Sequence, residues 1–159
     1  MHSDMLHGWL MLWTDDLWLT GLFLSAFVAA TLLPGASEVV LVGGLLGGKN
    51  ALAAVAVATL GNMLGALTTF FLGKFLGNKA GGWVGVTEKR RQRSQAWIAR
   101  YGSWLLLFSW VPVLGDPLVF AAGFVRLNFF CFLVFTLLGK LARYTLVAWL
   151  TLGSVQLLV

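Results

Sequence analysis

Charge is scarce in this chain. Charged residues make up 11% of its 159 positions, while 59% are hydrophobic. A typical soluble domain carries about 25% charged residues. Too little polar surface remains to cover such an apolar fraction, which excludes the soluble globular classes. Cysteine is nearly absent. Cys131, in the run Phe129–Phe135, stands alone, which excludes an internal disulfide and leaves a packing role. The two histidines, His2 and His7, have no converging ligands in the sequence, so neither a metal site nor a cofactor is expected. Lys and Arg are missing ahead of the first apolar run, which instead carries Asp4. A cleaved signal peptide needs a basic start, so the mature chain is expected to begin near Met1. Catalytic signatures are missing too. Ser37 has no nearby histidine to act as base, and neither a zinc motif nor a P-loop occurs, so no enzymatic activity is expected.

Apolar segments fill the space. Residues 1–16 hold Trp9, Trp13, Asp4, Asp15 and Asp16, a mixture suited to the headgroup zone, and predict a short interfacial helix. Leu17–Gly48 contains a single charge, Glu38. As one helix its 32 residues would measure about 48 Å, too long for a ~30 Å hydrocarbon core. Pro34 and Gly35 fall in its middle, and together they predict a break between two helical pieces. Ala51–Gly73 has no charge and predicts a full span, with Gly61 and Gly65 forming a GxxxG that permits close helix approach. Residues 74–102 form a basic connection. Lys74, Lys79, Lys89, Arg90, Arg91, Arg93 and Arg100 stand there against Glu88 alone. With Thr87 as a cap and Trp97, Ile98 and Tyr101 near one face, the segment fits either a surface helix on the cytoplasmic side or a solvated loop. The net charge of +5 is concentrated there, so anionic lipid headgroups rather than nucleic acid are the expected partner. Ser103–Val125 is apolar but interrupted by Pro112 and by Gly115, Asp116 and Pro117. Phe129–Leu152 predicts a last span with Lys140 and Arg143 near its middle.

A shift of 78 residues overlays the two halves: Pro34 falls on Pro112, Glu38 on Asp116, Gly61 on Gly139, Asn62 on Lys140 and Gly65 on Arg143. Each half has a broken apolar segment with an acid four residues after proline, then a basic residue (Lys49, Arg126), then a full span. If each broken segment enters and leaves on the same side, each half crosses once and the halves have opposite topology. The expectation is therefore an all-α polytopic membrane protein built as an inverted repeat of re-entrant hairpin plus transmembrane helix. The chain divides as one membrane domain: interfacial segment 1–16, first repeat 17–73, basic cytoplasmic connection 74–102 and second repeat 103–159. Both termini would then lie outside, unless a hairpin crosses fully.

Glu38, Asp116, Lys140 and Arg143 fall at or near membrane depth, where each charge costs ~2.5–3.5 kcal/mol on insertion scales. Lys140 and Arg143 are three apart and share a helix face. That face could meet a carboxylate, or a phosphate held by the arginine fork and the lysine point charge. A carboxyl balanced between burial and a nearby cation can take up and release a proton, which makes Glu38 and Asp116 candidates for coupling. Static salt bridges between the halves remain the bland alternative. Asn62 fits a site or an ordinary helix–helix hydrogen bond.

The run Leu33-Pro34-Gly35-Ala36-Ser37-Glu38, then Ala99-Arg100-Tyr101-Gly102, then Pro112, Pro117, Ala122 and Gly123 resembles the DedA (VTT, or SNARE-associated) family of membrane proteins. Gly115-Asp116-Pro117 and Gly139-Lys140-Leu141-Ala142-Arg143-Tyr144 point to its YqaA-type branch. The resemblance spans roughly Phe23 to Leu150. It implies two facing re-entrant hairpins, a multi-pass protein of the bacterial inner membrane, and proton-dependent translocation of lipids such as undecaprenyl phosphate. Glu38 matches the hairpin acid of that family. The family's second hairpin carries P-x-x-R, whereas this chain reads Pro112-Val113-Leu114-Gly115-Asp116. Lys140 and Arg143 are the available replacements for that cation. Three functions stay open: a lipid or lipid-phosphate transporter, a non-transporting assembly factor using the GxxxG helix, and a proton-coupled small-solute carrier. Homo-oligomers are compatible with each.

Overall fold

The computed structural model describes residues 2–30, 35–83, 102, 104–111 and 115–158, with side chains for 16–30, 35–76, 102, 104–109, 111, 115–116 and 118–156. The described residues form helices joined by short turns, with no strand among them. Among the described residues five α-helices follow in order: α1 (His2–Ala29), α2 (Ala36–Leu46), α3 (Ala51–Trp83), α4 (Gly115–Phe124) and α5 (Phe129–Leu158), with a 3-10 turn at Leu106–Trp110 ahead of α4. Among the described residues two stretches are long and apolar enough to cross a membrane, Ala51–Leu76 of α3 and Phe129–Gln156 of α5. At about 1.5 Å per residue, α2 and α4 are only ~16 and ~15 Å long and cannot cross a ~30 Å core alone.

The break expected after Leu17–Gly48 began is present. α1 ends at Ala29, Gly35 takes a left-handed φ of 99°, and α2 begins at Ala36. Pro34 and Pro112 lie outside the described residues. The second break is narrower than the sequence suggested. Val111 ends the 3-10 turn in extended backbone, and α4 already starts at Gly115. Gly115 and Pro117 therefore open a helix instead of interrupting one, because a first helical turn has no intrahelical acceptor for its N–H groups and tolerates proline. Two further boundaries differ. α1 runs uninterrupted from His2 through residues 16 and 17, and α3 continues through Lys74 and Lys79 to Trp83. Lys74 is exposed, and a long cationic side chain can reach water while its helix goes on. The rest of the basic connection, expected to be either a surface helix capped by Thr87 or a solvated loop, lies over residues 84–101, outside the described residues.

The turns after α2 and α4 are the same device. After α2, the Gly48 and Lys49 N–H groups donate to the Leu45 and Gly44 carbonyls at 3.0 Å each. After α4, the Arg126 and Leu127 N–H groups donate to the Gly123 and Ala122 carbonyls at 2.9 Å each. Both are Schellman closures, with the left-handed position filled by Gly48 (φ 78°) in one and Arg126 (φ 58°) in the other. The next helix is then capped by an asparagine each time. Asn50 Oδ1 accepts from Ala53 N at 3.0 Å, and Asn128 Oδ1 accepts from Phe130 N at 2.9 Å.

Packing sorts into two apolar clusters. One joins Leu22 and Ala26 of α1, Leu41 and Leu45 of α2, Ala54, Val55 and Ala58 of α3, and Tyr144 and Ala148 of α5. The other joins Met63, Ala66 and Phe70 of α3, Leu106, Val119 and Ala122 around α4, and Phe132 of α5. The early part of α3 thus meets the late part of α5 and the reverse, so the two long helices run antiparallel. Phe70 and Phe132 stack with centroids 4.2 Å apart, a pairing worth about 0.5–1.5 kcal/mol beyond burial. Gly61 and Gly65 of α3 lie directly under the backbone carbonyls of Phe23 and Phe27 in α1, leaving no room for a Cβ. Large apolar side chains cover the outside: Leu52 is 82% exposed, and Phe130 and Trp149 are each 70% exposed, as a lipid-facing surface requires.

Candidate functional site

The polar side chains gather where the two apolar clusters meet. On α3, Asn62 separates Ala58 of the first cluster from Met63 of the second; on α5, Lys140 lies between Phe132 and Tyr144. Both side chains are buried, and Lys140 Nζ donates a hydrogen bond to Asn62 Oδ1. An ammonium has only donors to offer, so the Asn62 oxygen must face it and the amide nitrogen must point away.

The acids enter from the short helices. Glu38 occupies the first turn of α2 and Asp116 the first turn of α4, where the helix N-terminus favours negative charge. Glu38 Oε1 pairs with Arg143 Nη2. Asp116 Oδ1 stands 3.9 Å from Lys140 Nζ, an ion pair looser than the hydrogen bond from Lys140 to the neutral Asn62 amide. One turn of α5 therefore sends its two cations to acids from different short helices. Arg143 is 10% exposed and Lys140 1%, against 19% for Glu38 and 28% for Asp116, so the cations are deeper than their partners.

Two residues given no site role from the sequence complete the arrangement. Tyr144 is fully buried, its hydroxyl 2.9 Å from Ser37 Oγ and 2.8 Å from Asn62 Nδ2, which donates to it. Ser37 in turn donates to Glu38 Oε2 at 3.1 Å. Ser37 therefore has a structural partner in place of the missing histidine. A tyrosine in an apolar run reads as core filling, and only its hydroxyl reveals the second role. Among the other candidates, Gly61 and Gly65 are occupied by α1, so the motif that suggested an external protein partner is satisfied inside the chain. Gly139, the residue aligned with Gly61, likewise lies against the segment before α4, at the Leu107 carbonyl and Ser109 Oγ. Among the described residues no group of three His, Cys, Asp or Glu could hold a metal ion.

Chemically, this is a balanced set of two carboxylates and two cations, joined by hydroxyl and amide groups and walled by apolar side chains. Such a set can hold an anion at the cations if a carboxylate withdraws, and can take up a proton in exchange.

The VTT domain matches residues 33–153. The inner membrane protein YqaA of Escherichia coli is 42% identical over 144 residues, covering 90% of this chain and 97% of the relative. A protein of Haemophilus influenzae is 38% identical over 142 residues, covering 82% of this chain and 85% of its own length. Undecaprenyl phosphate transporter A of Staphylococcus aureus is 26% identical over 116 residues, 65% of this chain and 57% of that protein. No solved structure matches.

Proposed function

The chain belongs to the VTT-domain (DedA) family, in its YqaA-type branch, and from that membership we propose that this bacterial inner-membrane protein moves a lipid with an anionic, phosphate-type headgroup across the bilayer, coupled to protons. One observation carries the reading: the Glu38–Arg143 pair, formed between a short helix and a spanning helix in the polar joint between two apolar clusters. The relationship to a named undecaprenyl phosphate transporter supports the class of substrate.

The architecture proposed is an inverted repeat. α2 and α4 are the returning limbs of two re-entrant hairpins, and α3 and α5 are the paired spans. Supporting it are the insufficient length of α2 and α4, their matching Schellman turns and asparagine caps, and the antiparallel run of α3 and α5. Asn62 and Lys140, aligned by the 78-residue shift, also touch each other, as residues beside a two-fold axis do.

The ion pairs support one order of events. A phosphate group competes with the Glu38 carboxylate for the Arg143 fork. A proton on Glu38 removes the competitor, so headgroup and proton enter together. Lys140, with three donors and one tight partner in Asn62, adds a second positive contact while Asp116 takes the second proton role. Leaving either cation unpaired at membrane depth is expensive, which keeps the site closed by its own acids between turnovers.

Reconstituted proteoliposomes test this directly with a fluorescent lipid phosphate. The wild type is expected to move it between leaflets, and Arg143→Ala and Lys140→Ala to slow it at least tenfold. Movement as fast in both variants as in the wild type removes the headgroup role.

A further inference from the structure

The contacts around Tyr144 have a fixed direction. Lys140 donates to Asn62 Oδ1, which turns the Asn62 amide so that Nδ2 donates to the Tyr144 oxygen at 2.8 Å. Tyr144 has one hydroxyl proton, and Ser37 Oγ lies 2.9 Å away. Ser37 spends its own proton on Glu38 Oε2 at 3.1 Å, so it must accept from Tyr144. Every donor therefore points the same way, from the ammonium of Lys140 to the carboxylate of Glu38. Chains of aligned hydrogen bonds in a low-dielectric setting polarise one another. Ser37, Asn62, Lys140 and Tyr144 are all at most 2% exposed, so water does not screen the chain.

We propose that Tyr144 is a positioning residue that binds Glu38 and Lys140 into a single polarised unit, so that a change at the second acid, Asp116, is felt at the first. The Asn62 amide does not pass protons along, so the unit transmits orientation and charge, not a proton. If Glu38 gains a proton, its demand for the Ser37 donor falls, and the Tyr144 hydroxyl is released with it. Asn62 then loses the acceptor that helps hold its oxygen against Lys140. The groups on Glu38 are Arg143 from α5 and Ser37 from its own helix, with Tyr144 of α5 reached through Ser37 and Asn62 of α3 behind Tyr144. Lys140 and Asp116 stand at the far end. α1 meets α2 through the uncharged indole of Trp18 at Gly44. The unit is independent of what is carried, and only its use in coupling rests on the transport reading.

A titration separates this from simple proximity of charges. The chain has two glutamates, Glu38 and Glu88, so 13C-glutamate labelling in a Glu88→Gln background leaves Glu38 as the sole labelled carboxyl. Its protonation is followed by isotope-edited infrared spectroscopy in lipid nanodiscs across pH. Asp116→Asn is expected to move the Glu38 midpoint by roughly half a pH unit or more, the scale of one polarised hydrogen-bond contribution. In Tyr144→Phe, which keeps the ring in its apolar cluster, the same Asp116 change is expected to move it less than half as far. Equal movement with and without the hydroxyl overturns the proposal, as does no movement in the Tyr144 protein. Where Asp116→Asn does not fold, Lys140→Gln replaces it with the same two expectations. The measurement needs no substrate, so an absence of lipid transport leaves it standing, and a failed titration leaves the transport reading standing.

Discussion

Glu38 and Arg143 form an ion pair that ties a helix too short to cross the membrane to one long and apolar enough to cross it. On the transport reading proposed above, a proton on the Glu38 carboxylate frees the Arg143 guanidinium for a headgroup, so protonation and headgroup binding go together.

The first consequence is a pH dependence. In the wild type, lipid movement is expected to rise as pH falls, because protonated Glu38 would no longer occupy Arg143. Glu38→Gln mimics the protonated side chain and is expected to move lipid at a rate flat across the same range. Stopped-flow quenching of a fluorescent lipid phosphate in vesicles, repeated at several pH values, reads both curves. A Glu38→Gln curve parallel to the wild type removes Glu38 as the responding acid.

A second expectation concerns stability. Arg143→Met leaves Glu38 without its cation in a half-buried position, at a cost of about 3 kcal/mol. Adding Glu38→Gln removes the stranded charge, and the double variant is expected to recover more than half of that loss. Unfolding in mixed micelles with increasing denaturing detergent measures the cycle. A double variant no more stable than Arg143→Met shows that the two side chains are energetically independent.

The third expectation lies at the α1–α3 crossing. Any side chain at Gly61 drives into the Phe23 carbonyl, which is backbone and cannot rotate away. Gly61→Leu is expected to cost about 1–3 kcal/mol through overpacking, whereas the same change at Gly43, which faces open space, costs far less. The same unfolding titration compares the two. Equal losses at both positions indicate that α1 is not held at Gly61.

Much of this arrangement was legible because membrane solvent leaves few choices. The uncharged run from Ala51, the proline and glycine near residue 35, and four charges in apolar surroundings each announced an element or a problem to be solved. What could not be read were consequences of three-dimensional neighbours. Lys140 invites a carboxylate partner in sequence, yet its tight contact is Asn62, because α3 and α5 cross at those residues and Asp116 stops 3.9 Å short. Tyr144 belonged to the run that carried the family resemblance but gave no sign of a site role, since its ring fills an apolar cluster and its hydroxyl acts on residues far away in the chain. Lys74 and Lys79 looked like the start of a loop, but backbone hydrogen bonding carries the helix past them. Asn50 and Asn128 obey the 78-residue shift as well as any other pair, and their capping role was visible only once the helix starts were known.

The Asn62–Lys140 contact also limits how alike the two halves of this chain can be. These aligned positions face each other, so whatever occupies one is confronted by its own counterpart. Two lysines there would set ammonium against ammonium in a buried joint, and two asparagines would leave the chain of donors with no cation to start it. A pair of identical subunits would be confined to one of those symmetrical choices. Joining both halves in one polypeptide allows a donor on one side and an acceptor on the other, which gives the joint a direction.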